Sequence, residues 1–148
     1  MSPRLLRWLL NLYPPFLGAG VRVASIAADW SQMVVELKLR WYNRNYVGTH
    51  FGGNLFTMTD PFHMLMLIQR LGPEYIVWDQ AAEIRFVKPG RGRVRGVLSV
   101  SDARVEEIRQ AAQDGAKHHP EFVIEIIDEQ GAIVAQVTKT LYVRLKSA

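Results

Sequence analysis

Hydrophobic and polar positions divide the chain into stretches with two different periods. Gln32 to Trp41 alternates, with Val35, Leu37 and Leu39 on one side and Glu36, Lys38 and Arg40 on the other. That is the period of a strand with one solvated face. Val21 to Ala28 reads as its hairpin partner across a turn at Asp29-Trp30-Ser31. Leu55 to Leu71 is apolar all round, the mark of a buried helix, and Leu71-Gly72-Pro73 stops it. Strands then follow at Ile76 to Val87, with a bend near Gln80, and at Arg93 to Ser101, joined by the turn Lys88 to Gly92. A polar helix, Ala103 to Asp114, and a loop at His118-His119-Pro120 lead to a last pair of strands. These are Phe122 to Ile127 and Ile133 to Leu145, with Gly131 suited to the left-handed position of their hairpin.

Ahead of these strands, Ser2-Pro3 is an N-cap followed by a first-turn proline. Arg4, Arg7 and Asn11 make one polar stripe, and Leu5, Leu6, Leu9, Leu10, Leu12 and Tyr13 make a wide apolar face. Pro14-Pro15 is expected to end this helix. Such a helix is expected to dock its apolar face on the domain or on a partner subunit. A membrane-surface helix is the second reading.

One long apolar helix among strands needs an extensive apolar surface around it. A curved antiparallel sheet of six strands wrapping the helix supplies one, which makes an α+β fold with an additional N-terminal helix. Residues 1–148 contain no repeat, low-complexity tract or linker, so a single domain is expected.

Composition narrows the chemistry. The 148 residues are 49% hydrophobic and 22% charged, with no cysteine, which rules out a disulfide framework, cysteine catalysis and thiolate metal sites. It also suits a cytoplasmic setting. Arg7 and Asn11 interrupt the N-terminal apolar stretch and no small-residue cleavage site stands out, so a signal peptide is not expected. That helix is too short to span a bilayer, and no membrane partner is expected. The net charge of +4 favours an anionic partner, but the basic residues are scattered without a nucleic-acid motif, so no nucleic acid is expected either.

The residues that carry chemistry surround the long helix. Gly52-Gly53 lets a ligand approach the backbone where a helix begins, and the first N–H groups of a helix lack partners within it. Asp60 is the one acid between Gly52 and Glu74, about two turns further in and placed to face the same space. An acid beside an oxyanion-type donor is the minimum for acyl hydrolysis. A structural alternative is open, because Asp60-Pro61 also reads as an N-cap with its first-turn proline. If the helix begins at Gly53 and buries Leu55, Phe56 and Met58, Pro61 lies inside it and kinks it. His63 shares a helix face with Asp60, whereas His50 precedes the glycine pair. Asn45 suits either turn chemistry or the site.

The pattern Asn45-x-x-Gly48-Thr49-x-x-Gly52-Gly53 followed by Asp60 resembles the hot-dog-fold acyl-CoA thioesterases of the phenylacetate-pathway type, and more closely an uncharacterised thioesterase-like bacterial branch. The resemblance implies that Asp60 is general base or nucleophile, that a Gly52 N–H holds the thioester oxygen and that Asn45 orients the reacting groups. Gly53, His50, Phe51, His63, Asp79, Lys88 and Arg91 complete the expected substrate-binding set. Asp79 falls where the family places a Ser or Thr near the acid, and a second carboxylate there would raise one pKa. Lys88 and Arg91, with Arg93 and Arg95 beyond them, fall near the mouth where coenzyme A phosphates rest. The resemblance further implies a homodimer or dimer of dimers, no metal and no cofactor beyond coenzyme A within the substrate. The family usually has His directly before Gly-Gly, and Phe51 stands there. That departure favours a second reading, a non-catalytic acyl-CoA or fatty-acyl binding module on the same fold.

Overall fold

The computed structural model describes residues 1–146. Six strands, β1 (Val21–Ile26), β2 (Gln32–Lys38), β3 (Tyr75–Phe86), β4 (Arg93–Ser99), β5 (Glu121–Asp128) and β6 (Ile133–Leu145), form one antiparallel sheet in the order β1-β2-β4-β5-β6-β3. Alternation decides which face is covered. In β4, Val94 and Leu98 are buried while Arg93, Arg95 and Val97 are exposed; in β5, Phe122, Ile124 and Ile126 are buried while Glu121, Val123 and Glu125 are exposed. The buried face forms one core with Leu55, Met58, Phe62, Met66 and Leu67 of the central helix. This is the hot-dog arrangement.

The central helix comes in two pieces, α3 (Gly52–Thr57) and α4 (Phe62–Leu71), joined through a cis Asp60-Pro61 bond. The expectation of one helix with Pro61 inside it is therefore corrected: proline has no N–H to continue the ladder, and Pro61 stands at the N-cap of α4. Residues Gly52 to Thr57 are helical as expected and Leu55 and Met58 are buried, so the segment before Asp60 is not a loop. Asp60 makes no capping bond to α4.

Two further expectations change at the N-terminus. Pro14-Pro15 ends α1 (Pro3–Asn11) but also opens a second helix, α2 (Pro14–Ala19), because proline is pre-set for a first turn. The apolar face of α1 docks on the domain only in part: Leu6 and Leu10 pack partly against the core, while Leu5, Trp8, Leu9 and Leu12 stay exposed. Asn11 joins the free edge of β1, its Nδ2 donating to Val23 O at 3.0 Å and its Oδ1 accepting from Val23 N at 2.8 Å. Arg7 donates from Nη1 to Ala24 O at 2.9 Å. The polar stripe thus closes a sheet edge, and no residue of α1 is buried. The remaining edge, β3, is twelve residues long and has no strand on its outer side among the described residues. A register shift between Asp79 and Ala81 produces the bend expected near Gln80.

Leu67 is fully buried in the core whereas Leu5 is 50% exposed. Leu67→Ala should cost about 2–5 kcal/mol through the cavity it leaves, and Leu5→Ala less than about 1 kcal/mol. Urea unfolding of the two variants checks the ordering, and equal losses would mean that α1 packs as the core does.

Candidate functional site

The loop before α3 is built on Asn45. Its Oδ1 accepts from Thr49 N at 2.9 Å, and its Nδ2 donates to Thr49 Oγ1 at 2.9 Å and to His50 O at 3.3 Å. Gly48 takes the left-handed conformation (φ +78°) that closes this turn. Asn43 anchors the loop to the fold, its Nδ2 donating to Ala19 O and Lys38 O while Asn54 Nδ2 donates to Asn43 O. The chain then enters α3 through Phe51, whose ring packs on Gly53, and Phe86 of β3 lies over Gly52. A Cβ on Gly52 would sit 2.8 Å from Phe86 Cζ, so glycine is what admits the aromatic ring there. The N–H groups of Gly52 and Gly53 precede the first i→i−4 bond of the helix.

A cleft of about 460 Å³ opens here, lined by Asn45, Thr49, His50, Gly52, Leu55, Phe86 and Lys88, among others. Its size suits a small-molecule ligand. His50 is 3% exposed, and burial lowers its pKa, so it is neutral near pH 7. Its Nε2 lies 3.0 Å from Gly92 O, and a carbonyl can only accept, so Nε2 carries the proton. Nδ1 then keeps its lone pair, buried and without a partner among the described residues.

The carboxylates stand elsewhere. Lys139 of β6, 1% exposed, donates to Asp60 Oδ1 and lies 3.1 Å from Asp79 Oδ1 in an ion pair, with its ammonium 5.4 Å from the centre of the Phe56 ring. Asp79 Oδ1 is buried and receives no hydrogen bond. Burial raises the pKa of Asp79; the Lys139 charge opposes that rise and the neighbouring Asp60 adds to it. Asp60 keeps its side chain 43% exposed, against 22% for Asp79, so it is the member of the trio open to a reactant. Sequence reasoning passed over Lys139. The signal lay in the period of β6, where Val137, Lys139 and Leu141 share the inward face and all three are buried.

Within one chain the expected residues fall into separate places. Gly52, Asn45, His50 and Lys88 line the cleft, and Phe51, Gly53 and Arg91 border it, with Arg91 Nη1 3.5 Å from Gly48 O. Asp60 and Asp79 do not line it. The ammonium of Lys88 is paired with Asp128, and Arg93 lies 3.7 Å from Glu36. His63 points into the core, 2% exposed and stacked on Phe122 with ring centres 4.4 Å apart.

Two outcomes follow. Burial holds His63 at a pKa of about 4, below its ordinary 6.5, with the Ser99 backbone pulling it up and the Lys139 charge pushing it down. A depressed folded-state pKa stabilises the protein above pH 6.5, and that stability is lost as pH falls towards 4. The loss should be about 3 kcal/mol. His63→Leu should remove that part of the slope; an unchanged pH–stability curve for the variant would refute the assignment. For the ion trio, Asp60→Asn or Asp79→Asn alone leaves Lys139 one carboxylate, whereas the double variant leaves a buried ammonium unpaired. The double variant should lose about 3–5 kcal/mol, more than the sum of the single losses. Chemical denaturation of the three variants measures this, and simple additivity would contradict it.

A protein-family profile described as Domain of unknown function (DUF4442) matches residues 3–143. No curated protein matches the chain. Among solved structures, the chain is similar to a protein of unknown function from Pseudomonas aeruginosa whose description adds "Probable Thioesterase". The TM-score is 0.85 at 19% identity, over 99% of this chain and 97% of that one. It is similar to a thioesterase from Haemophilus influenzae, with TM-score 0.71 and 12% identity over 98% and 92% of the two chains. It is also similar to a mutant of the phenylacetic acid degradation protein PaaI from Thermus thermophilus, with TM-score 0.60 and 23% identity over 89% and 99%. At these identities the likeness establishes the fold.

Proposed function

We propose that this chain, which belongs to the DUF4442 family, is a thioesterase that hydrolyses acyl-CoA thioesters at sites shared between two copies. The observation that carries the reading is Asp60, a partly exposed carboxylate held in place by a buried ammonium beside a second carboxylate of raised pKa. Acids set against one another in this way are what acid–base chemistry requires.

The separation of cleft and carboxylates follows from the open edge. Asp79 and Phe86 both lie on β3 but roughly 20 Å apart, at about 3.3 Å per residue. If two β3 edges pair antiparallel, the Phe86 end of one strand lies alongside the Asp79 end of the other. The Gly52 cleft of one subunit then meets the Asp60 carboxylate of its partner. Exposed Ala81 and Ala82 near the strand centre leave room for such an approach.

In that site Asp60 takes a proton from water as the water oxygen bonds to the thioester carbon. The carbonyl becomes an oxyanion held by the Gly52 N–H, with Asn45 keeping the loop in shape. Collapse breaks the C–S bond, the thiolate leaves as coenzyme A and takes up a proton, and the acid product departs. Direct attack by Asp60 instead gives an anhydride that water cleaves, with the same products. Arg91 beside the cleft suits the coenzyme A phosphates, Lys88 would join it on releasing Asp128, and coenzyme A enters only as part of the substrate.

The binding-module reading has two observations in its favour. Phe51 stands directly before Gly52-Gly53 with its ring packed on Gly53, and Lys139 already occupies one oxygen of Asp60. Turnover separates the two readings. Asp60→Asn should lower kcat/KM by at least about 10²-fold, with melting little changed because Lys139 keeps Asp79. Gly52→Val should also be inactive, and mixing it with Asp60→Asn should restore part of the activity through mixed dimers that hold one intact site. A fully active Asp60→Asn enzyme overturns the catalytic role, and mixtures without recovery overturn the shared site. No turnover by the wild type on short, long and aromatic acyl-CoAs replaces the thioesterase with the binding module.

A further inference from the structure

The helix pair α1–α2 presents an apolar surface that the fold itself does not use. Leu5, Trp8, Leu9, Leu12, Tyr13 and Leu17 are between 43% and 61% exposed. This follows from the way α1 docks: Asn11 and Arg7 bind the β1 edge, and only Leu6 and Leu10 turn partly into the core. A helix that spends its polar side chains on its own domain must show its apolar face to something else. Apolar patches of this kind on soluble domains mark interaction sites.

Charge narrows what that something is. Residues 1–28 contain Arg4, Arg7 and Arg22 and no acid. Arg4, Arg7, Pro3, Ser25 and Ile26 also enclose a hollow of about 280 Å³ at the α1–β1 seam, beside the apolar face. A leucine face carrying Trp and Tyr and flanked by arginines is the composition of a helix lying in a lipid interface. There the aromatic rings sit at headgroup level and the exposed Arg4 guanidinium meets phosphates, Arg7 being bonded to Ala24 O. A second copy of the chain is a poorer occupant. Twofold pairing through α1 would set Arg4 and Arg7 against their own copies with no acid from this segment between them. The open edge β3 also lies at the opposite end of the sheet from β1, so a dimer formed through β3 leaves α1 uncovered.

We infer that α1 and α2 are an interfacial anchor that docks the protein on an anionic lipid bilayer, against the sequence-based expectation of no membrane partner. No helix among the described residues is long and apolar enough to cross a membrane, so the anchor lies on the surface. The inference stands on this face alone and not on the thioesterase reading.

Flotation of the full chain with phosphatidylcholine vesicles, with and without roughly one-third phosphatidylglycerol, tests it. The wild type should float with the anionic vesicles and far less with the neutral ones. Trp8→Gln/Leu12→Gln should weaken anionic binding by at least about 10-fold, with a melting temperature near that of the wild type since both positions are exposed. Arg4→Gln should weaken binding to anionic vesicles alone. Absence of wild-type flotation, equal binding to neutral vesicles, or undiminished binding by the double variant would each overturn the inference. So would a fall in oligomer mass of the double variant by light scattering, which would make the face a contact between copies.

Discussion

The ammonium of Lys139 is the constraint around which the interior is arranged. It sits on the inward face of β6 among Val137, Leu141 and Val143, where water does not reach it. A buried charge is tolerated only when opposite charge comes to it. Asp60 comes from the junction of α3 and α4, and Asp79 from β3. One cation thereby ties the break in the central helix to two neighbouring strands. The break and the charge explain each other. A continuous helix through Pro61 would set a different backbone path at Asp60, and without Asp60 the ammonium would face Asp79 alone.

The sheet has two edges, and the chain treats them differently. The β1 edge is closed by a side chain that imitates a strand: the Asn11 amide offers one donor and one acceptor, as a backbone pair would. The β3 edge is left open over its whole length among the described residues. Long open edges invite pairing with another chain, so a pairing of copies through the sheet would fall on β3 and not on β1. It also has a consequence for α1. A helix recruited to block an edge through its polar stripe has its leucines left over, which is why the exposed apolar face lies at the end of the sheet remote from β3.

Much of this was legible in the sequence where periodicity was unambiguous. The strands, the buried central helix, the Gly131 hairpin and the bend at Gln80 all follow from alternation and turn residues. What escaped had identifiable causes. Pro14-Pro15 reads as a stop because proline ends helices, although it opens them equally well, as α2 shows. The pattern of α1 says that its apolar face docks on the domain or on a partner but not how it divides: Leu6 and Leu10 pack partly on the core, while Asn11 and Arg7 turn the helix to the β1 edge and leave its other apolar residues exposed. Lys139 was lost inside a strand read only for its hydrophobic period, although its place on the inward face was itself the anomaly. The candidate site residues come from motif spacing and the resemblance it carries, but spacing along one chain does not reveal that Gly52 and Asp60 open onto different regions of the subunit.

Unsatisfied buried polar atoms do not by themselves identify a site in this protein. His50 Nδ1, His63 Nδ1, Asp79 Oδ1, His118 Nε2 and Arg144 Nε all lack a hydrogen-bond partner among the described residues, although Asp79 Oδ1 stands 3.1 Å from Lys139 in an ion pair. His63 shows that such an atom can belong to packing alone: its ring is stacked on Phe122, and the cost appears as a depressed pKa. What separates His50 and Asp79 is their surroundings. His50 borders a cleft large enough for a ligand, and its lone pair is fixed in place by the bond from Nε2 to Gly92. Asp79 lies on the open edge, next to a carboxylate that remains exposed. An unsatisfied polar atom can take part in chemistry only where a reactant can reach it or its neighbour: for His50 that place is the cleft beside Phe86 of β3, and for Asp79 it is the open β3 edge itself.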